Sequence, residues 1–196
     1  TKNICCQNLY QYTHFKNKVN NAVKIPSISN YNIGIDNISL YMPKYYLDHA
    51  DLAKARNIDP EKYHKGLGQK SMSVPTPDED IVTMAANAAC EFSKEDLSKV
   101  SWVLFATESG VDQSKAAGLY IHSLLDLPDD ARVIELKQAC YSGTAALQLA
   151  KDLLANNPDK KILILASDIA RYGLNTTGES SQGAGAIALL ISHNPK

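Results

Sequence analysis

Between Val133 and Ala150 the chain changes its hydrophobic period, and that change constrains the fold more than any other feature. Val133, Ile134 and Leu136 suit a strand, whereas Ala146, Leu149, Ala150, Leu153 and Leu154 recur at helical spacing. A strand running straight into a helix places Cys140 at the turn between them. Ser142, Gly143 and Thr144 are small residues suited to capping the helix start and letting the backbone pass close to a ligand. A cysteine at such a turn meets unpaired backbone N–H groups and the positive end of the helix dipole, both of which favour thiolate over thiol. For a lone cysteine the small buried hydrophobe is the commoner reading. The surrounding residues have to decide.

Strands alternate with helices along the rest of the chain. Ile33, Ile35, Ile38, Leu40 and Met42 suit a first strand that Pro43 ends. A short helix is expected over residues 47–55, with Asp48 near its start and Leu47, Leu52 and Ala53 facing inward. Residues 59–70, with Gly66 and Gly68, read as an irregular loop of the kind that carries ligand contacts. A helical stripe of Ile81, Met84, Ala85, Ala88 and Ala89 follows. Next come a buried strand at 102–107, a helix at 113–125, strands at 132–136 and 161–167, a polar loop at 168–179 and a last buried strand at 183–192. This order implies an α/β domain with a mainly parallel sheet covered on both faces.

Glu108 falls just past the end of a central strand, where open α/β sheets gather their ligands. It reads as an acid or base, or as a helix cap or a solvated carboxylate. The glycines around Gly183 and Gly185 open a strand, which excludes a GxGxxG dinucleotide site.

At 196 residues the chain can bury a sizeable core. Its net charge of −1 gives no electrostatic reason to expect nucleic acid or an anionic membrane as a partner. The longest apolar runs, such as that from Ala186 to Ile191, are too short to span a bilayer. No basic start leads into an apolar run, so no secretory signal is read. Four cysteines, of which Cys5 and Cys6 are adjacent, make neither a disulfide framework nor a CxxC metal site. A reducing cytoplasm is therefore expected. Residues 1–32, rich in Asn, Gln, Lys and Tyr without a sustained period, are expected to form a poorly ordered extension ahead of a domain at 33–196.

Four motifs in register carry a resemblance: Ala139-Cys140-Tyr141-Ser142-Gly143-Thr144-Ala145-Ala146, Ala106-Thr107-Glu108-Ser109, Gly66-Leu67-Gly68-Gln69 and Gln182-Gly183-Ala184-Gly185-Ala186. From about Ile33 to Lys196 the chain resembles the first half of hydroxymethylglutaryl-CoA synthases of the bacterial mevalonate-pathway type. The resemblance implies a thiolase fold, of which this chain would form one βαβαβαββ half with a mainly parallel, mixed sheet covered by helices, and a homodimer in the full-length form. It implies condensation of acetyl-CoA with acetoacetyl-CoA, the coenzyme A thioesters being substrates and no separate cofactor or metal being needed. It makes Cys140 the nucleophile that carries the acetyl group and Glu108 the general acid/base. Asp59 and Pro60 would contact the coenzyme A substrate, Tyr172 would line the acyl pocket, and Ser181 would lie beside bound substrate.

The family's catalytic histidine belongs to the second half, and none of His14, His49, His64, His122 or His193 matches its motif. The isolated chain is therefore expected to lack much of the pocket. Related readings are a ketoacyl synthase of the third type, a carrier-protein-dependent methylglutaryl synthase, and a catalytically silent half-domain serving as a binding module.

Overall fold

Five strands pair into the sheet that carries the site. The computed structural model describes residues 32–196, so the expected extension lies, apart from Asn32, outside the described residues. Strands β1 (Ile33–Tyr41), β4 (Val100–Ala106), β5 (Arg132–Leu136), β6 (Lys161–Ala170) and β7 (Gly183–His193) form one sheet in the order β1-β7-β6-β4-β5. β4 is parallel to both β5 and β6, while β6–β7 and β7–β1 are antiparallel. The sheet is thus mixed, with the expected parallel character confined to its β5–β4–β6 side.

Both faces are covered, so alternate residues of one strand serve two cores. Val103 and Phe105 of β4 and Leu163 and Leu165 of β6 pack beneath helix α3 (Ile81–Ala89). Leu104, Ile162 and Ile164 point the other way, onto Ala146, Ala150 and Leu154 of helix α6 (Ser142–Leu154). Burial on both sides explains why these strands read as nearly continuous apolar runs. Helix α3 begins with a reciprocal capping box between Asp80 and Thr83, and its buried alanines keep it close to the sheet.

Helix α5 (Gly118–Leu124) starts later than expected. The side chain of Asp112 accepts from Ser114 N and Lys115 N at 2.6 and 2.8 Å, holding that stretch as a turn. Gly118 is required there, since a Cβ would stand 2.7 Å from Cγ1 of Val133.

The stretch expected as one helix over 47–55 divides in two. Strand β2 (Tyr45–Asp48) leads into helix α1 (His49–Arg56), so Leu47 lies on a strand and Asp48 is the N-cap, accepting from Ala50 N at 2.7 Å. Helix α2 (Glu61–His64) interrupts the expected loop, and β3 (Ser71–Val74) returns antiparallel to β2. This unit has its own small core of Leu52, Ala53 and Tyr63. Ser73 stitches it to the sheet through both backbone groups of Ala184. With it set aside, and the short helix α4 (Lys94–Leu97) treated as part of the α3–β4 connection, the order is βαβαβαββ. No helix of the described residues is long and apolar enough to cross a membrane.

Lys161, 12% exposed, lies between Asp36 and Asp96 and pairs with both. Hydrogen bonds from its ammonium hold both carboxyls below the usual carboxylate range. Burial alone would lower the Lys161 value, but the two carboxylates outweigh it and raise it. Carboxylates with depressed values contribute stability that is full above their unfolded value near 4 and is lost as acid titrates them. The raised lysine contributes stability that is lost only in strong alkali. Resistance to urea is therefore expected to stay level from about pH 5 to pH 9 and to fall below about pH 4. Lys161→Met, which strands two carboxylates, should cost about 3 kcal/mol in urea denaturation at neutral pH; a loss under about 0.5 kcal/mol would show the pair to be solvated.

Candidate active site

Asp168 organises the site from a strand that the sequence ended too early. β6 continues through Ala170, so Asp168 belongs to the strand and not to the expected polar loop. One of its carboxylate oxygens accepts from Thr107 Oγ1, Glu108 N, Ser109 N and Ser109 Oγ at 2.9, 2.7, 3.0 and 2.9 Å. Ile169 N in turn donates to Ser109 Oγ at 3.2 Å. The turn that leaves β4 is therefore held from the neighbouring strand, and the Glu108 side chain is carried on a fixed base.

Cys140 is brought to it by a second rigid turn. Ala139, just before it, has φ of 47°, a left-handed conformation that is costly for a residue with a Cβ. The buried Ser142 hydroxyl holds this turn, accepting from Gln138 N at 2.7 Å and donating to Ala139 O at 2.9 Å. Ser142 was expected to cap the helix. Instead Tyr141 is the N-cap residue and makes no side-chain cap bond, which leaves the first-turn N–H groups of α6 without side-chain acceptors at that cap.

The two turns meet. Cys140 Sγ lies 3.5 Å from Glu108 Oε1, with the thiol donating to the carboxylate. Both residues are exposed, and Glu108 lines a cleft of about 730 Å³ with Ser109, Asp112, Ser114 and Lys137. A thiol bonded to a carboxylate can pass its proton across that bond and be left as a nucleophile. A carboxylate beside a sulfur that carries an acyl group is also placed to take a proton from that group.

The other expected site residues have partners within their own loops. Asp59 accepts from Glu61 N at 3.0 Å, and Pro60 is the N-cap of α2. Tyr172, half exposed, packs its ring against Gly178, and Ser181 donates to Gly178 O at 2.8 Å. None of these four makes a hydrogen bond to Cys140 or Glu108 among the described residues. His122 and His193 are engaged with the carbonyls of Pro128 and Leu154, and His49 is fully buried against Tyr63.

Asp168 was missed because an aspartate following an apolar run reads as the end of a strand, while its partners lie some 60 positions away. Asp168→Ala would take the acceptor from Thr107 Oγ1 and Glu108 N, while Ser109 N and Oγ keep Thr107 Oγ1 and Ile169 O. It is expected to lower thermal stability by about 1–3 kcal/mol and, by loosening Glu108, to slow turnover about a hundredfold. Unchanged turnover would mean that Glu108 is held some other way.

Comparison with known proteins identifies the family. A family model described as hydroxymethylglutaryl-coenzyme A synthase N terminal matches residues 29–196. The hydroxymethylglutaryl-CoA synthase of Enterococcus faecalis is 52% identical over 165 residues, covering 84% of this chain and 43% of the relative. A 3-hydroxy-3-methylglutaryl-ACP synthase of polyketide biosynthesis from Bacillus subtilis is 36% identical, covering 83% of this chain and 42% of the relative. Among solved structures, an HMG-CoA synthase complexed with CoA matches with a TM-score of 0.81 and 50% identity, over 84% of this chain and 42% of that one. The HMG synthase of the curacin biosynthetic pathway in complex with holo donor-ACP matches with a TM-score of 0.77 and 39% identity, over 83% and 42%. The chain thus spans less than half the length of the relatives it matches.

Proposed function

The chain belongs to the hydroxymethylglutaryl-coenzyme A synthase family, has the fold of one thiolase half, and on that premise we propose that it supplies the acetyl-transferring half of an acyltransferase that forms a carbon–carbon bond. The contact between Cys140 and Glu108 carries the reading. Cys140 sulfur attacks the carbonyl of acetyl-CoA, the carbon–sulfur bond to coenzyme A breaks, and free coenzyme A leaves with the proton. Backbone N–H groups near the start of α6, that of Cys140 included, would stabilise the charge that gathers on the thioester oxygen. Glu108 then takes a proton from the acetyl methyl, and that carbon bonds to the ketone carbon of acetoacetyl-CoA, whose oxygen becomes a hydroxyl. Water finally cleaves the Cys140 thioester, releasing the new carboxylate and restoring the thiol.

Condensation needs groups for the acetoacetyl partner that the histidines described above do not supply, so the reading assigns them to a second half. In its full-length form the enzyme works as a homodimer in the cytoplasm, where Cys140 stays a free thiol. A carrier-protein thioester is the second candidate donor, supported by the likeness to the two ACP-linked synthases; the higher identity to coenzyme A enzymes favours acetyl-CoA.

The test is to offer the enzyme at its natural length acetyl-CoA or acetyl-carrier protein and to follow acetyl uptake on the peptide containing Cys140 by mass spectrometry. Uptake from acetyl-CoA, discharged by acetoacetyl-CoA, is expected. Uptake from the carrier protein alone would transfer the assignment to the second donor. Uptake from neither would favour a silent binding module.

A further inference from the structure

The two loops that carry the other expected site residues are joined by one ion pair. Arg56, the last residue of α1, sits just ahead of Asp59 and Pro60; Glu179 sits between Tyr172 and Ser181. The guanidinium grips the carboxylate with two bonds, Nη2 to Oε1 at 2.5 Å and Nε to Oε2 at 2.9 Å. The Glu179 side chain is 5% exposed, in a loop that is otherwise largely solvated. A buried carboxylate survives only with such a partner, and the two-pronged geometry fixes orientation as well as charge.

Glu179 also organises its own loop. Its Oε2 accepts from Asn175 N at 3.0 Å, where Asn175 turns the chain with φ of 60°. Its carbonyl accepts from the Gln182 side-chain amide at 3.0 Å, and the oxygen of that amide accepts from Tyr172 N at 3.1 Å. Tyr172, Asn175 and Gln182 are therefore all fastened, directly or through one side chain, to Glu179. On the other side, Asn57 adopts φ of 53°, so the chain reverses sharply from Arg56 into the Asp59 segment.

We infer that Arg56 and Glu179 are a positioning pair that sets the spacing between the Asp59–Pro60 and Tyr172–Ser181 segments and so fits the site to one extended thioester substrate. This rests on the acyltransferase reading and on the substrate contacts that the family resemblance implies for those two segments. Neither residue touches Cys140 or Glu108 through any hydrogen bond of the described residues, so the pair acts on substrate fit and not on bond making. Loosening it should weaken acetyl-CoA binding while leaving the chemistry of the bound complex intact, a signature in KM with little change in kcat.

The test compares wild type, Glu179→Gln, Arg56→Met and Arg56→Lys in the enzyme at its natural length, scoring acetyl uptake on Cys140 against acetyl-CoA concentration. Glu179→Gln and Arg56→Met are expected to raise KM about tenfold, with the maximal rate within about threefold of wild type. Arg56→Lys keeps the charge but loses the fork and should fall between them and wild type. The lysine variant also keeps the test open if either stronger variant fails to fold. Wild-type KM in a folded variant, or a fall in maximal rate without a change in KM, would overturn the inference alone. A wild-type enzyme that takes up no acetyl group would sink the acyltransferase reading, and the inference with it.

Discussion

Cys140→Ala is expected to take up no acetyl group and to turn over at least about 10,000-fold more slowly than wild type, with an unchanged melting temperature. The two halves of that expectation have separate physical grounds. Alanine offers no electron pair to the thioester carbonyl, so no covalent intermediate forms. Cys140 is exposed and contributes nothing to either core, so its loss belongs with surface substitutions, usually within about 0.5 kcal/mol. A dead enzyme that melts normally would separate lost chemistry from lost structure. Normal uptake by the alanine variant would move the nucleophile elsewhere. Cys90, the other free cysteine of the described residues, has no comparable setting: it donates to Asn87 O of its own helix at 3.1 Å and lines a cavity with Phe92, Leu97 and Leu124.

What could be read in advance follows from how local each signal is. β4, β6 and β7 were legible because strands buried on both faces must be apolar along their length, which any short window reveals. The β2–β3 hairpin was not, because its strands are short and half solvated and lie on either side of two helices. The late start of α5 was hidden for a related reason: the Asp112 side chain competes for backbone N–H groups that a helical period would assign to the helix. In the site, the turn at Cys140 was visible as a change of period. Its geometry was not, since Ser142 is spent on the turn before the helix and Ala139 takes a conformation that composition would give to glycine. Cys140 and Glu108 stand 32 positions apart, and no local pattern joins them; the family motifs did. Asp168, Arg56 and Glu179 act across the fold, and a single sequence carries no mark of such partnerships.

Glu108→Gln is expected to slow condensation by about 100-fold to 10,000-fold while acetyl uptake slows by no more than about tenfold. Glutamine keeps the length and shape of the side chain, and the backbone N–H at this position still donates to Asp168, so the turn should not move. Its amide oxygen can still accept from the Cys140 thiol, but the group can no longer hold a proton as a carboxyl does. A carboxylate 3.5 Å from the sulfur has two chemical uses, and the variant distinguishes them. If Glu108 served only to draw the proton from the thiol, uptake would slow, a rise in pH would restore it, and the acetylated enzyme would then condense at the normal rate. If Glu108 takes the proton from the acetyl methyl, preformed acetyl-enzyme would stall whatever the pH. Methyl protons are far less acidic than a thiol, so losing the base should fall hardest on the second step. Rapid-quench measurement of each step, starting from free and from pre-acetylated enzyme, decides between them. Stalling of the acetylated form identifies the base of carbon–carbon bond formation, and its normal discharge would confine Glu108 to activating the thiol.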